Sequence, residues 1–280
     1  MNPTQLIGVD IGGTNITAGL IVNGMVVKKT TVPTESQLPK ERILDNLLRA
    51  INEVFIDGAE AIGIGVPGLV DAAAGKIIQI TNIPSWNGFN LKQQIEKKLD
   101  LKTSIENDAN CFVLGVKRFG EGVTCKNIVG ISLGTGLGAG LLLDNKLYKG
   151  LDNGAGEICF IPYKDSNLEA YCSGSFFTKS KQERGEALFK KAVDGDSHAL
   201  SCWDEYGIHI SYLVRIVLLC YAPELIVFGG SAANGFPFFK GSMIRGLQSF
   251  EMKTLLNQVK IQQCTDNDIA IKGAAALAIK

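Results

Sequence analysis

An α/β fold is what the sequence predicts, on three observations. Apolar runs of strand length alternate with apolar stripes at helical spacing. Glycines cluster where those runs end, and one strand–turn–strand pattern recurs 122 positions downstream. Gln5 to Val9 is a short apolar run that meets Asp10 and a glycine pair, so it reads as a strand entering a turn. Ile16 to Val27 reads as two further strands around Asn23-Gly24, a dipeptide suited to a tight hairpin. Ile43, Leu44, Leu47, Leu48, Ile51, Val54 and Phe55 recur as one face of a helix over Glu41 to Phe55. Ala61 to Val66 is a strand closed by Pro67-Gly68. Leu91, Ile95 and Leu99 mark a second helix, and Leu101 to Asn107 a strand that hands over to a helix near Asp108. Ile128 to Leu133 is a strand before a glycine-rich stretch. A long stripe from Trp203 to Tyr221 is helical and leads past Pro223 into the strand Leu225 to Phe228. The last element, Gly273 to Ile279, is alanine-rich and helical.

The repeat is visible without gaps. Gly8-Val-Asp-Ile-Gly12 falls on Gly130-Ile-Ser-Leu-Gly134, Leu20-Ile21 on Leu142-Leu143, and Asn23 on Asn145. It reads as a duplicated lobe in which each copy offers a glycine turn to a ligand, with chance likeness of two apolar hairpins as the alternative.

Composition narrows the class. The 280 residues carry 28 Lys+Arg and 28 Asp+Glu, so no net charge drives binding to nucleic acid or to an anionic membrane. Apolar residues make up 46%, enough for a packed core, and the length suits two domains of roughly 100–200 residues each. Glycine is the outlier, 32 residues or about 11% against an average near 7%. Seven scattered cysteines form no CxxC pair, which fits reduced thiols and a cytoplasmic location. Met1 to Gly13 has no basic start and carries Asp10 inside its apolar run, so no secretory signal is expected. The longest uncharged run, Asn127 to Leu143, is glycine-rich and reads as buried strands rather than a membrane span.

Glycine turns after strands expose backbone N–H groups that can cradle phosphate oxygens. The first turn is Gly12-Gly13-Thr14-Asn15 and the second Gly134-Thr135-Gly136-Leu137-Gly138, each with a threonine hydroxyl. Asp10, at a strand end beside such a cradle, suits Mg²⁺ directly or through water, or else caps the turn. Three rival motifs fare worse. Gly134 to Ala139 matches the loose dinucleotide pattern, but a strand follows instead of the helix that pattern requires. Gly130-Ile-Ser132-Leu-Gly134 matches a serine-hydrolase elbow, yet the only histidines, His198 and His209, sit in the long helical region. No Walker A motif occurs.

Glu106-Asn107-Asp108-Ala109-Asn110 lies at a strand-to-helix junction. Asp108 falls in the first helical turn, where the macrodipole favours its ionised form, and it suits either a plain cap or a base accepting a hydroxyl proton in phosphoryl transfer. Glu157, Glu169 and Asn107, with Asn82 as a weaker candidate, suit the hydroxyls of a sugar; solvated surface positions are the alternative for the glutamates. Leu225 to Ser231 is again strand then glycine turn, where backbone could lie against a flat ring such as adenine.

Taken in order, Asp10-Ile-Gly-Gly-Thr14-Asn15, Gly65-Val-Pro-Gly68, Asn107-Asp108-Ala109-Asn110, Leu133-Gly-Thr-Gly136-Leu-Gly138, Gly156-Glu157-Ile158, Phe228-Gly-Gly230 and Gly273-Ala-Ala resemble the motifs of the ROK family of sugar kinases nearly end to end. The resemblance implies the actin-like ATPase (ribonuclease H-like) fold, two α/β lobes around a central cleft, divided as residues 1–107 plus 265–280 and residues 108–264. It implies an ATP-dependent kinase for a glucose-like hexose, using Mg²⁺ and usually a homodimer; the balanced charge read above adds no nucleic-acid or membrane partner. By position, Asp108 resembles the catalytic base. Asn107, Glu157, Glu169 and Gly68 resemble sugar contacts, with Thr81 and Asn82 weaker. Gly12, Gly13, Thr14, Asn15, Gly134, Thr135, Gly136 and Gly138 resemble the phosphate loops, and Gly229 and Gly230 the adenosine side. N-acetylmannosamine, fructose or a β-glucoside are alternative substrates, and a sugar-sensing regulator without catalysis an alternative class. The regulator would need a DNA-binding module, and the first strand already begins near Gln5.

One departure stands out. Phe160 occupies the position of the family's histidine, and Ile-Pro-Tyr-Lys-Asp-Ser-Asn-Leu stands between it and Glu169 where a cysteine-rich zinc loop is usual. Cys159 and Cys172 lack the ligand spacing, so no structural zinc is expected.

Overall fold

The computed structural model describes residues 4–279 and divides into two compact units. The first takes the chain to Thr124, Leu147–Ala155 and everything from Asp266; the second takes Cys125–Lys146 and Gly156–Thr265.

In the first unit, β1 (Gln5–Ile11), β2 (Asn15–Val22) and β3 (Met25–Pro33) form an antiparallel meander. α1 (Lys40–Val54) follows and leads to β4 (Ala61–Val66), which lies parallel to β1. A small hairpin of β5 (Leu69–Asp71) and β6 (Lys76–Gln79) precedes α2 (Leu91–Leu99) and β7 (Thr103–Asn107), parallel to β4. The sheet order is β3-β2-β1-β4-β7. β4 reads Ala-Ile-Gly-Ile-Gly-Val because it is buried along its whole length, whereas β3 alternates toward solvent at the edge. α1 turns Ile43, Leu44, Leu47, Ile51 and Val54 into the core beneath this sheet. α3 (Asp108–Phe119) starts directly after β7.

The second unit repeats the plan. β8 (Ile128–Leu133) pairs antiparallel with β9 (Leu137–Leu143), and β10 (Lys146–Leu147) continues the meander. A short hairpin, β11 (Pro162–Tyr163) and β12 (Ser166–Asn167), leads into α4 (Leu168–Cys172), α5 (Ser175–Ser180), α6 (Gly185–Val193) and α7 (Ser197–Tyr221). β13 (Leu225–Gly229) lies parallel to β8; α8 (Phe236–Leu247) and α9 (Lys253–Gln258) follow, and β14 (Lys260–Gln263) lies parallel to β13. Sheet order β10-β9-β8-β13-β14 repeats that of the first unit, strand for strand.

The chain then returns to the first unit as α10 (Ile269–Ala276), which packs on α3, β1 and β4. Its backbone is close enough that a Cβ on Gly8, Gly63, Gly115 or Gly273 would overlap a neighbouring carbonyl oxygen. This contact explains why α3 and the chain to Thr124 sit with the first unit, not with the second as the division at residue 107 expects. The helix begins four residues before the expected Gly273 and ends before Ile279. No helix among the described residues is long and apolar enough to cross a membrane, and the Asn127–Leu143 run forms β8 and β9.

The duplication is real in register, with one correction. In the first hairpin Ile11 faces Ile16, with four residues between; in the second Leu133 faces Leu137, with three. The second glycine turn is therefore one residue shorter. Gly8 pairs with Gly19 and Gly130 with Gly140, so the strand after the turn corresponds at a shift of 121. Leu20-Ile21 thus matches Leu141-Leu142, and Asn23-Gly24 matches Asp144-Asn145. Both dipeptides have positive φ at each residue, 51° and 81° in the first and 50° and 62° in the second, as a type I′ turn demands.

Candidate functional site

Each glycine turn closes on itself in the same way. Gly12 N donates to Asn15 O at 2.8 Å, and Gly134 N donates to Gly136 O at 3.0 Å. Thr34, fully buried, holds the first turn by donating its hydroxyl to Gly12 O at 2.7 Å and its N–H to Thr14 O at 2.8 Å. Gly174 N does the same for the second by donating to Gly134 O at 2.7 Å. Among the described residues, the N–H groups of Gly13 and Thr14 in the first turn, and of Thr135 and Gly136 in the second, meet no acceptor. Thr14, Thr135 and Gly136 are exposed. Each turn therefore presents two adjacent donors without a protein acceptor, an arrangement suited to an anion's oxygens.

The first turn has acidic and polar neighbours. Asp10 is the penultimate residue of β1, opposite Gly65 on β4; a Cβ there would stand 3.6 Å from Asp10 Oδ1 and 3.3 Å from Cys111 Sγ. Asn82 lies over the turn, with its Cβ 3.2 Å from where a Cβ on Gly13 would be, and Thr81 beside it is exposed. Asn107 is the N-cap of α3: its Oδ1 accepts from Ala109 N at 2.9 Å and Asn110 N at 3.2 Å, and its Nδ2 donates to Gly68 O at 3.0 Å. Gly68 has φ +102° and a Cβ on it would overlap Gln79 O, so only glycine fits that bend. Asp108 is the first residue inside the helix, half-buried, with Oδ1 accepting from Ala109 N at 2.9 Å.

These carboxylates converge on Cys111, one turn further along α3. Burial pushes its thiol well up, Glu106, Asp10 and Asp108 add to the effect, and Lys149 opposes it. Glu106, fully buried, accepts from Asn107 N at 2.9 Å and Asn110 Nδ2 at 3.2 Å, and pairs with Lys149 Nζ at 2.5 Å. It thereby braces the start of α3 from inside. Lys149 and Cys111 were not among the sequence candidates. Nothing local marks a lysine 43 residues downstream as the partner of Glu106.

Burial also pushes the Asp10 carboxyl up, to about 6, and no hydrogen bond reaches it among the described residues. A carboxylate whose folded value exceeds its unfolded 3.8 destabilises the fold when ionised, fully above about pH 6 and not at all below about pH 4. Asp10→Asn is therefore expected to stabilise the protein in chelator-treated buffer at pH 8, by at most about 3 kcal/mol since the residue is half-buried. Urea melts should show the gain shrinking from pH 6 to pH 4; a gain independent of pH would refute the assignment to this carboxyl.

In the second unit, Gly230 (φ +84°) lies against the Leu133 backbone; a Cβ on it would stand 2.7 Å from Leu133 C and O, one residue before the turn. Gly229 ends β13 beside Ser132. Gly138 is the second residue of β9. Gly156 (φ +91°) is packed against Ala139 O of β9, and the exposed Glu157 follows it in the chain. Glu169 reaches the turn itself, its Oε2 accepting from Leu137 N at 3.2 Å. Cys159 Sγ, pushed up to about 12 by burial and then by Glu157, lies 3.5 Å from the Glu157 carboxylate, and Cys172 Sγ donates to His209 O at 3.4 Å. Phe160 is 70% exposed.

The structure thus gathers Asp10, Gly12–Asn15, Asn82, Gly68, Asn107 and Asp108 in the first unit. It gathers Gly134–Gly138, Gly229, Gly230, Glu157 and Glu169 in the second.

Known proteins resemble the chain along nearly its whole length. The ROK family profile matches residues 6–280. A glucokinase of Thermotoga maritima is 29% identical over 99% of this chain and 98% of its own length. An N-acetyl-D-glucosamine kinase of Vibrio parahaemolyticus is 25% identical over 98% of this chain and 99% of its own. The crystal structure of a ROK family glucokinase from Streptomyces griseus in complex with glucose and AMPPNP superposes with a TM-score of 0.86, at 26% identity, over 98% of this chain and 99% of that one. The fold is the actin-like ATPase fold, an α/β architecture with the same sheet repeated.

Proposed function

The chain belongs to the ROK family, and from that premise we propose that it is an ATP-dependent sugar kinase acting on a glucose-like hexose. The observation that carries this reading is the pair of glycine turns in matching sheet positions, each with two adjacent unpaired N–H groups. Such turns suit the oxygens of a polyphosphate. Glucose is the first candidate because of the glucokinase relative and the glucose-bound neighbour, and N-acetylglucosamine the second because of the N-acetyl-D-glucosamine kinase.

In this reading Asp108 is the base. The sugar hydroxyl gives its proton to the Asp108 carboxylate, its oxygen bonds to the γ-phosphorus, and ADP departs. Asn107 and the backbone at Gly68, with Glu157 and Glu169, take sugar hydroxyls; Thr81 and Asn82 border them. Gly12–Asn15 and Gly134–Gly138 hold phosphate oxygens, and Gly229-Gly230 lies along the adenosine. The unpaired carboxyl of Asp10 fits a hard cation, and Mg²⁺ bound there would neutralise phosphate charge. The protein is taken to work in the cytoplasm, which its scattered cysteines without a CxxC pair fit, and as a homodimer, as the resemblance implies.

The test is coupled ADP release with Mg·ATP across glucose, N-acetylglucosamine, N-acetylmannosamine, fructose and a β-glucoside. At least one sugar should raise ADP release a hundredfold over the sugar-free rate. No stimulation by any of them, with nucleotide binding intact, would favour a sensor without catalysis.

A further inference from the structure

α4 is five residues long, too short to be stable alone, and it is fastened on both sides. Asn167 caps it by accepting from Ala170 N at 3.0 Å. Tyr206 donates its hydroxyl to Cys172 O at 2.8 Å, and Cys172 Sγ donates to His209 O at 3.4 Å, so the end of α4 is tied to α7. Just upstream, Tyr163 of the β11–β12 hairpin stacks on Tyr212 with centroids 4.5 Å apart, and its hydroxyl lies 3.1 Å from His209 Nδ1. Glu169 projects from this fixed piece.

Its target is the second glycine turn. Glu169 Oε2 accepts from Leu137 N and stands 2.7 Å from where a Cβ on Gly136 would be. The amides of Thr135 and Gly136 are the next two along the chain. A carboxylate charge therefore lies against the same backbone whose N–H groups suit a phosphate, and like charges in one small cradle repel.

We propose that Glu169 is a positioning residue that couples the two substrates. Without sugar, its carboxylate rests on the turn and opposes nucleotide phosphate. When sugar hydroxyls donate to it, the carboxylate is drawn off Leu137 N and its charge is shared, and the turn becomes free to take phosphate. Sugar then tightens nucleotide binding, and by linkage nucleotide tightens sugar by the same factor. The inference rests on the sugar-kinase reading, in which Glu169 faces the sugar.

The experiment is calorimetric titration of full-length protein with Mg·AMPPNP, without sugar and with whichever sugar gives the fastest ADP release. The variants are Glu169→Gln, which keeps the shape and loses the charge, and Glu169→Asp, which keeps the charge and shortens the reach. For the wild type, sugar should tighten AMPPNP binding about fivefold or more. Both variants should bind AMPPNP about fivefold tighter than wild type in the absence of sugar, and sugar should then add less than twofold. Sugar-free affinity at the wild-type level in either folded variant overturns the proposal. So does a wild-type affinity that sugar leaves unchanged. Failure of the kinase reading shows separately, as absent ADP release across the sugar panel, while the sugar-free comparison still reports what the Glu169 charge does to the turn.

Discussion

Replacing Asp108 with alanine is expected to lower sugar-dependent turnover by about 10²–10⁴-fold while AMPPNP affinity stays near the wild-type value. That loss corresponds to about 3–5 kcal/mol in the barrier. The fold should tolerate the change. Asn107, not Asp108, caps α3, so the helix keeps its N-cap when alanine removes the Asp108 hydrogen bond to Ala109 N and the favourable charge at the helix start. The charge contributes about 0.3–1 kcal/mol. Glu106 still braces the helix start from beneath through Asn107 N and Asn110 Nδ2. Asp108→Asn sharpens the test, since it keeps an acceptor for Ala109 N while removing the negative charge and with it the ability to take a proton. Steady-state kinetics on both variants, with thermal melts alongside, separate a lost base from a lost fold. Turnover within threefold of wild type in either variant would remove Asp108 from the reaction.

How legible this site was depends on sequence distance. Local chemistry could be read: a glycine pair after β1, a carboxylate in the first turn of α3, and a helix stripe for α1. The repeat could be read as well, because β1 and β8 are buried strands whose apolar runs carry matching glycines. Its second half slipped by one residue. Hairpin register is set by the length of the turn, and an ungapped comparison cannot see a turn that has lost a residue. β14 escaped notice because Lys-Ile-Gln-Gln is an edge strand with polar faces and shows no apolar run. α4 and α5 are too short for a helical period to emerge. The unreadable part of the site consists of contacts between distant segments: Glu106 with Lys149, Thr34 with the first turn, and Glu169 with the second. Each involves an ordinary polar residue whose meaning comes from its partner.

Gly273→Ala should destabilise the protein by about 3 kcal/mol or more, against the sign that helix propensity alone gives. Alanine exceeds glycine by about 1 kcal/mol inside a helix, and Gly273 lies within α10 with helical φ. Space decides the sign. A Cβ on Gly273 would overlap the Cys111 carbonyl oxygen outright and stand 2.7 Å from Gly115 N, both backbone atoms of α3 that no rotamer change can move. Shifting α10 does not relieve the clash cheaply. Gly115 already has Ile269 O against it, Gly8 of β1 has Ile271 O, and Gly63 of β4 has Ala274 O. The helix is wedged by backbone contact on three sides, and moving it away from α3 loosens its seat on β1 and β4. Those two strands hold Asp10 and Gly65, so the strain reaches the site. For a chain of this size, 3 kcal/mol lowers the melting temperature by about 6–12 °C. Gly241→Ala is the matched control. It is also a helix-interior glycine, on α8, but exposed, and a Cβ there would meet nothing nearer than Arg245 Nη1 at 3.7 Å. That substitution should stabilise by up to about 1 kcal/mol. Denaturant melts of the two variants should therefore move in opposite directions, and a Gly273→Ala midpoint at or above wild type would mean that α10 is not wedged as described.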